Sequence, residues 1–159
     1  MATVKELKER LLALQGKELE FVVEALQENE EQLLALNRQQ LFEGKDSQGK
    51  DLSPTYLEDP YFKTKEAAQR YSDWKDKITP SSKRKSGVPN LYINGMFHNS
   101  IDATITVQGI TTDSDAPFSS GVEGKFGTVI YGLNDEKKPI LLKTVAPLAI
   151  GKIRGSLKL

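Results

Sequence analysis

A chain of 159 residues with one histidine and no cysteine offers few places for covalent chemistry. The histidine, His98, lies two residues before Ser100 and four before Asp102. These are the side-chain types of a base-activated hydroxyl nucleophile. Members of such a triad meet through tertiary geometry, so adjacency along the chain is weak support for a small hydrolase. A surface or partly buried histidine on a short helical turn is the reading preferred for this position. The missing cysteines remove disulfides, thiolate catalysis and cysteine-ligated zinc together.

Four acidic residues, Asp46, Asp51, Glu58 and Asp59, share one loop. They lack the glycine placement and closing glutamate of an EF-hand calcium loop, and a solvated acidic loop explains them. Gly121, Gly124 and Gly127 form GxxGxxG, which is neither a dinucleotide fingerprint nor a Walker A loop. Such glycines permit tight turns and close backbone approach. No catalytic, cofactor-binding or metal-ligating residue is assigned, no cofactor is expected, and the chain is read as a non-enzyme.

Lys83, Arg84 and Lys85 are the one electrostatic feature, a basic run able to contact phosphates. Against it stands a net charge of zero, from 22 basic and 22 acidic residues. A protein that binds nucleic acid over its whole surface carries an overall bias, so any such contact must be local. Near-neutral charge also favours self-association. Only 38% of residues are hydrophobic, so part of the apolar surface is expected to be completed by neighbouring subunits.

The elements that would position these residues follow from periodicity. Thr3 followed by Glu6 is a capping-box pattern, and Val4, Leu7, Leu11 and Leu14 make one apolar stripe, which predicts a helix over 3–15. A second helix is predicted over 17–42, with a polar centre at QENEEQ, buried at its ends and wet in its middle. Residues 43–62 hold two glycines and two prolines and read as a long loop arm. Its aromatics Tyr56, Tyr61 and Phe62 are expected to dock on something. Thr64 is an N-cap for a helix over 64–78 with Trp74 and Ile78 on one face, ended by Pro80. Residues 79–90 form a flexible basic loop.

Asn94-Gly95 marks a turn, with Phe97 and Ile101 four apart and pointing inward. DATITVQGITTD alternates as a half-buried strand, and 117–133, centred on Val129, Ile130 and Tyr131, is a second β-rich stretch or hairpin arm. Residues 134–157 close the chain as a helix capped by Asn134, with Ile140, Leu141, Val145, Leu148, Ala149 and Ile153 as its apolar face and a kink at Pro147. The class is α+β: N-terminal helices, a small antiparallel sheet with a long loop arm, and a C-terminal helix, in one domain over 1–159. No apolar run approaches the roughly 18 residues of a membrane span. The amphipathic N-terminus lacks the apolar core of a signal peptide, which points to synthesis in the cytoplasm.

Two segments carry a resemblance. Gly49, Leu52, Ser53 and Pro54, followed after a lysine-bearing spacer by Leu91, Gly95, Phe97, Ser100 and Ile101 and then the strand DATITV, resemble the phage virion morphogenesis or tail completion proteins. Asn94 stands where that pattern has threonine, and tolerates the same turn. GLNDEKKPILLKTVAPLAIGKI resembles the versions found in phages of Bacteroides-like bacteria. The resemblance covers roughly residues 40–150 and brings no catalytic residues. It implies a subunit of a head–tail connector or neck ring, of tail completion or tail terminator type and hexameric or dodecameric. Such a subunit is assembled in the host cytoplasm and lies in the virion between portal or adaptor and tail proteins, touching channel DNA without reading sequence and making no membrane contact. Tyr56, Tyr61, Phe62, Lys83, Arg84 and Lys85 are the candidate interface residues. The alternative is a nucleic-acid-binding accessory protein using the local basic patch.

Overall fold

A computed structural model describes residues 3–158. Its first helix, α1 (Val4–Leu14), begins as the capping box predicts: Thr3 Oγ1 accepts from the Glu6 amide, and Glu6 Oε2 accepts from the Thr3 amide at 2.7 Å. The single helix expected over 17–42 is instead two, α2 (Glu18–Gln27) and α3 (Glu30–Phe42). The break falls inside the polar segment, where Asn29 turns its side chain back onto the Ala25 carbonyl at 2.8 Å. Asparagine competes with the helix ladder by bonding nearby backbone, and no apolar residue there resists the break. After it, α3 buries Leu33, Leu34, Leu36 and Leu41, and also Asn37 and Gln40. Those two amides are the polar pins of the core. Asn37 donates to the carbonyls of Ile130 and Gly132, while Gln40 donates to Gly132 and accepts from the Asn134 amide.

Residues 43–62 contain no helix or strand, but they do not project. Leu52 joins the core, Tyr56 is buried, and the Lys45 and Asp51 backbones form an isolated bridge. The arm lies on α4 (Lys65–Ile78), whose N-cap is Thr64 as expected. The buried face of α4 is Ala68, Ser72 and Lys75, at spacings of four and three, and Trp74 and Ile78 stand outside it, each somewhat under half exposed.

A short turn, α5 (Met96–Asn99), leads into β1 (Ile101–Thr106). The run expected as one strand folds in two: β1 pairs antiparallel with β2 (Gly109–Ser114) across Val107-Gln108, and Ile101 lies opposite Ser114. Gly109, at φ 146°, takes the backbone out of the turn. The stretch 117–133 is not β. It holds α6 (Ser119–Phe126) and a 3-10 turn (Thr128–Ile130). Ile130 is fully buried there, so the apolar triplet marks core packing rather than a strand.

The last helix, α7 (Lys138–Leu157), starts later than predicted, because Asn134 caps the preceding turn by accepting from the Glu136 and Lys137 amides. It runs through Pro147 and buries Leu141, Val145 and Ala149, one residue every four. Ile140 and Leu148, read as part of its apolar face, lie on the exposed side. α7 packs on α1, α2 and α3, while β1 packs on α2 and α3, so the two-stranded sheet carries helices on one face as an α+β arrangement. Among the described residues no helix is long and apolar enough to cross a membrane.

Candidate functional site

The imagined triad does not assemble. His98 is buried in α5, and its Nε2 lies 2.8 Å from the Asn90 carbonyl, where only an N–H can serve. Burial, with the charges of Arg38 and Lys75 behind it, pushes its pKa down, so it is neutral at physiological pH. Ser100 Oγ bonds the Phe97 carbonyl and the Ser114 hydroxyl, and Asp102 accepts from the next amide on the exposed side of β1.

The acidic loop is equally engaged. Asp46 accepts from the Gln48 and Lys50 amides, Asp51 pairs with Lys45 and Lys85, and Glu58 caps Thr55. Lys45 and Lys85 together hold the Asp51 carboxyl below the usual carboxylate range. Gly121 and Gly124 sit on the open side of α6 with nothing near them, and Gly127 ends that helix at φ 78°.

The basic run is not a patch. Arg84 is buried: Nη1 donates to the Val88 carbonyl at 2.8 Å, and Nη2 to Asp76 at 2.9 Å and to the Thr79 carbonyl at 3.1 Å. Lys85 reaches Asp51 at 2.5 Å, and Lys83 lies between Glu43 and Glu136 at 3.4 and 3.7 Å. Expected as flexible, residues 79–90 are fixed by these bonds and by the buried Val88 and Asn90. Sequence spacing does not show this, because the acidic partners lie up to 53 residues away along the chain, as Glu136 does from Lys83.

The aromatic residues of the arm do come together. Tyr56, Tyr61 and Phe62 line one wall of a cavity of about 450 Å³, which Tyr71 and Lys75 of α4, the stretch 89–94, Phe97 of α5, and Phe118, Val122, Lys125 and Phe126 at α6 complete. Ring contacts hold the wall: Tyr56 meets Tyr71 edge-on at 5.0 Å and Tyr61 meets Phe62 edge-on at 5.3 Å, while Phe62 lies tilted on Tyr71 at 5.2 Å between centroids. Tyr61 remains 81% exposed at the mouth. On the opposite wall Leu91 holds φ 54°, a left-handed conformation that a branched side chain rarely adopts. Gly95 holds φ 82°, where a Cβ would press on the Tyr92 ring at 3.3 Å. Of the two segments of the resemblance, the second lines this region through Leu91 and Phe97, while the first contributes Leu52 to the core.

Electrostatics divide the cavity unevenly. Asp59, buried, pairs with Lys125 and accepts from the Tyr61 amide. Lys75 is 1% exposed; its ammonium donates to one partner, the Tyr92 carbonyl, and has no carboxylate within 4.0 Å among the described residues. Burial and the neighbouring Arg84 pull its pKa down to about 8, although Asp76 opposes the shift. Burial raises the Tyr56 and Tyr71 phenols, so both stay protonated. Lys75 was missed in the sequence because a lysine on a polar helix reads as solvated; its only signal is the spacing from Ala68 and Ser72.

A comparison with protein-family models, with curated proteins and with solved structures finds no match to this chain.

Proposed function

We propose that the chain is a structural subunit of a closed homo-oligomeric ring, the head–tail connector or neck ring of a tailed phage, which joins portal or adaptor to tail and surrounds the DNA channel. The observation that carries the assembly part is the apolar surface left open on two helices that pack together. α1 exposes Val4, Leu11 and Leu12, and α7 exposes Ile140, Leu142, Leu148 and Ile150. An 11-residue helix does not persist on its own propensity, and unpaired apolar side chains on it favour contact with another subunit. A ring of identical subunits needs such surfaces to meet different surfaces and close. The phage part rests on the resemblance at residues 49–54 and 91–101. The second reading, a nucleic-acid-binding accessory protein, would rest on Lys83 and Lys85 alone, since Arg84 is buried against Asp76.

Light scattering on the purified protein, alone and mixed with phage particles lacking the subunit, tests the reading. A closed ring, or a monomer that joins the particles and restores tail attachment, is the expected result. L11S/L12S should abolish either behaviour while leaving the melting temperature within a few degrees. A monomer that never associates with particles would remove the neck assignment.

A further inference from the structure

We infer that the aromatic cavity is a binding site for a small apolar carboxylate, whose ring system lies among Tyr56, Phe62, Tyr71 and Phe126 and whose anionic head pairs with Lys75. This inference does not depend on the ring assignment.

Size comes first. The cavity, about 450 Å³, lies in the range of pockets that enclose small molecules, and its lining is mostly ring and aliphatic carbon with a few polar groups. That arrangement suits a flat hydrocarbon body, for which offset and edge-on ring packing adds to simple burial.

Charge selects the head group. The ionisable groups of known sign on the wall are Asp59, Lys125 and Lys75. Asp59 and Lys125 neutralise each other, which leaves Lys75 as one positive charge without a counter-ion among the described residues. An ammonium group has three donor hydrogens, and the Lys75 nitrogen has one acceptor, the Tyr92 carbonyl. Burying a cation without a paired anion is costly, and removing half of a buried pair leaves the same deficit that Lys75 carries here. Asp76, the nearest acid along the helix, is committed to Arg84 at 2.9 Å and to Ser86 at 2.6 Å. A carboxylate entering from the mouth beside Tyr61 supplies what the chain withholds. A cationic ligand would meet like charge, and a neutral one would gain only the apolar part.

The probe is 2-naphthoate, with 2-naphthamide as its neutral isostere and 2-naphthylmethylamine as its cationic counterpart, titrated into the full chain by calorimetry. The expected result is that naphthoate binds at least tenfold tighter than either. Lys75→Met should remove that preference while keeping naphthamide affinity, which also shows that the cavity still forms. A second readout needs no variant. Naphthoate affinity should fall several-fold between pH 6.5 and 9.5 as Lys75 loses its proton, and naphthamide affinity should hold. The charges that face Lys75 are Arg84 and Asp76, and burial raises the Tyr56 and Tyr71 phenols so that both stay protonated across that window; a Lys125→Met control, carrying the same naphthoate pH profile, separates the second lysine of the wall. Equal affinity for naphthoate and naphthamide, no binding of naphthoate at millimolar concentration, or a preference that survives Lys75→Met would each overturn the assignment.

Discussion

Two lysines, each 1% exposed, meet opposite treatment in this molecule. Lys137, at the start of α7, donates to Glu43 at 3.1–3.2 Å, and Glu136 and Lys83 extend the pair into a four-charge group. Lys75, on α4, has a peptide carbonyl and a repelling guanidinium. The first is a structural rivet: it ties the end of α3 to the beginning of α7 across 94 residues. The second is a cation with no anion beside it among the described residues, placed on the wall of a cavity. Buried charge by itself therefore says little about function. What distinguishes the two is whether the chain completes the pair.

Breaking the rivet should give the largest effect. Lys137→Ala leaves Glu43 buried without its closest cation, at a cost of about 3–5 kcal/mol. Urea denaturation measures it, and the double variant E43L/K137M should recover most of the loss because it removes both charges together. If the single and double variants are equally unstable, Lys137 acts by packing and the contrast with Lys75 fails.

Lys75 should behave in the opposite sense. Its folded pKa of about 8 lies below the ordinary 10.5, so between those values the unfolded chain binds more protons than the folded one. Stability must then rise with pH across that window, and it is lost again as pH falls through about 8. Allowing for solvent screening, the rise between pH 7.5 and 9.5 is roughly 1–2 kcal/mol. Denaturation at the two pH values should show it in the wild type and not in Lys75→Met. The upper limit stays below pH 10, where ionising tyrosines in the unfolded chain would act against it through the raised phenols of Tyr56 and Tyr131.

A third buried base sharpens the comparison with the smallest, acid-side effect. His98 has a lowered pKa, so its contribution is complete above about pH 6.5 and is lost as the pH falls. A melting-temperature series between pH 7 and 5 should fall less steeply in His98→Gln than in the wild type. Parallel slopes would show that other groups govern the acid limb.

Local chemistry was legible to the residue. Thr3 with Glu6 and Thr64 with Ala67 act within one helical turn, so the sequence contains both partners of each cap. The alternation of Ala103, Ile105 and Val107 found the strand region but not the turn that folds it, because a hairpin depends on which run pairs with which. At 117–133 the β-forming triplet misled: Ile130 is there to fill the core and Tyr131 packs against it, so propensity yields to packing. Aromatic residues in the arm announced docking, but their partner proved to be α4 of the same chain.

By itself the sequence determined the α+β class, the caps at Thr3 and Thr64, and most of the helical spans, since these rest on contacts three or four residues apart. Tertiary structure alone decided which charges are consumed and which is left over. Lys85 finds Asp51 across 34 residues, Lys125 finds Asp59 across 66, and Lys137 finds Glu43 across 94. Lys75, with the same side chain and no less burial, finds no carboxylate within 4.0 Å among the described residues. Coulomb energy depends on distance in space, and no rule of spacing along the chain carries that information.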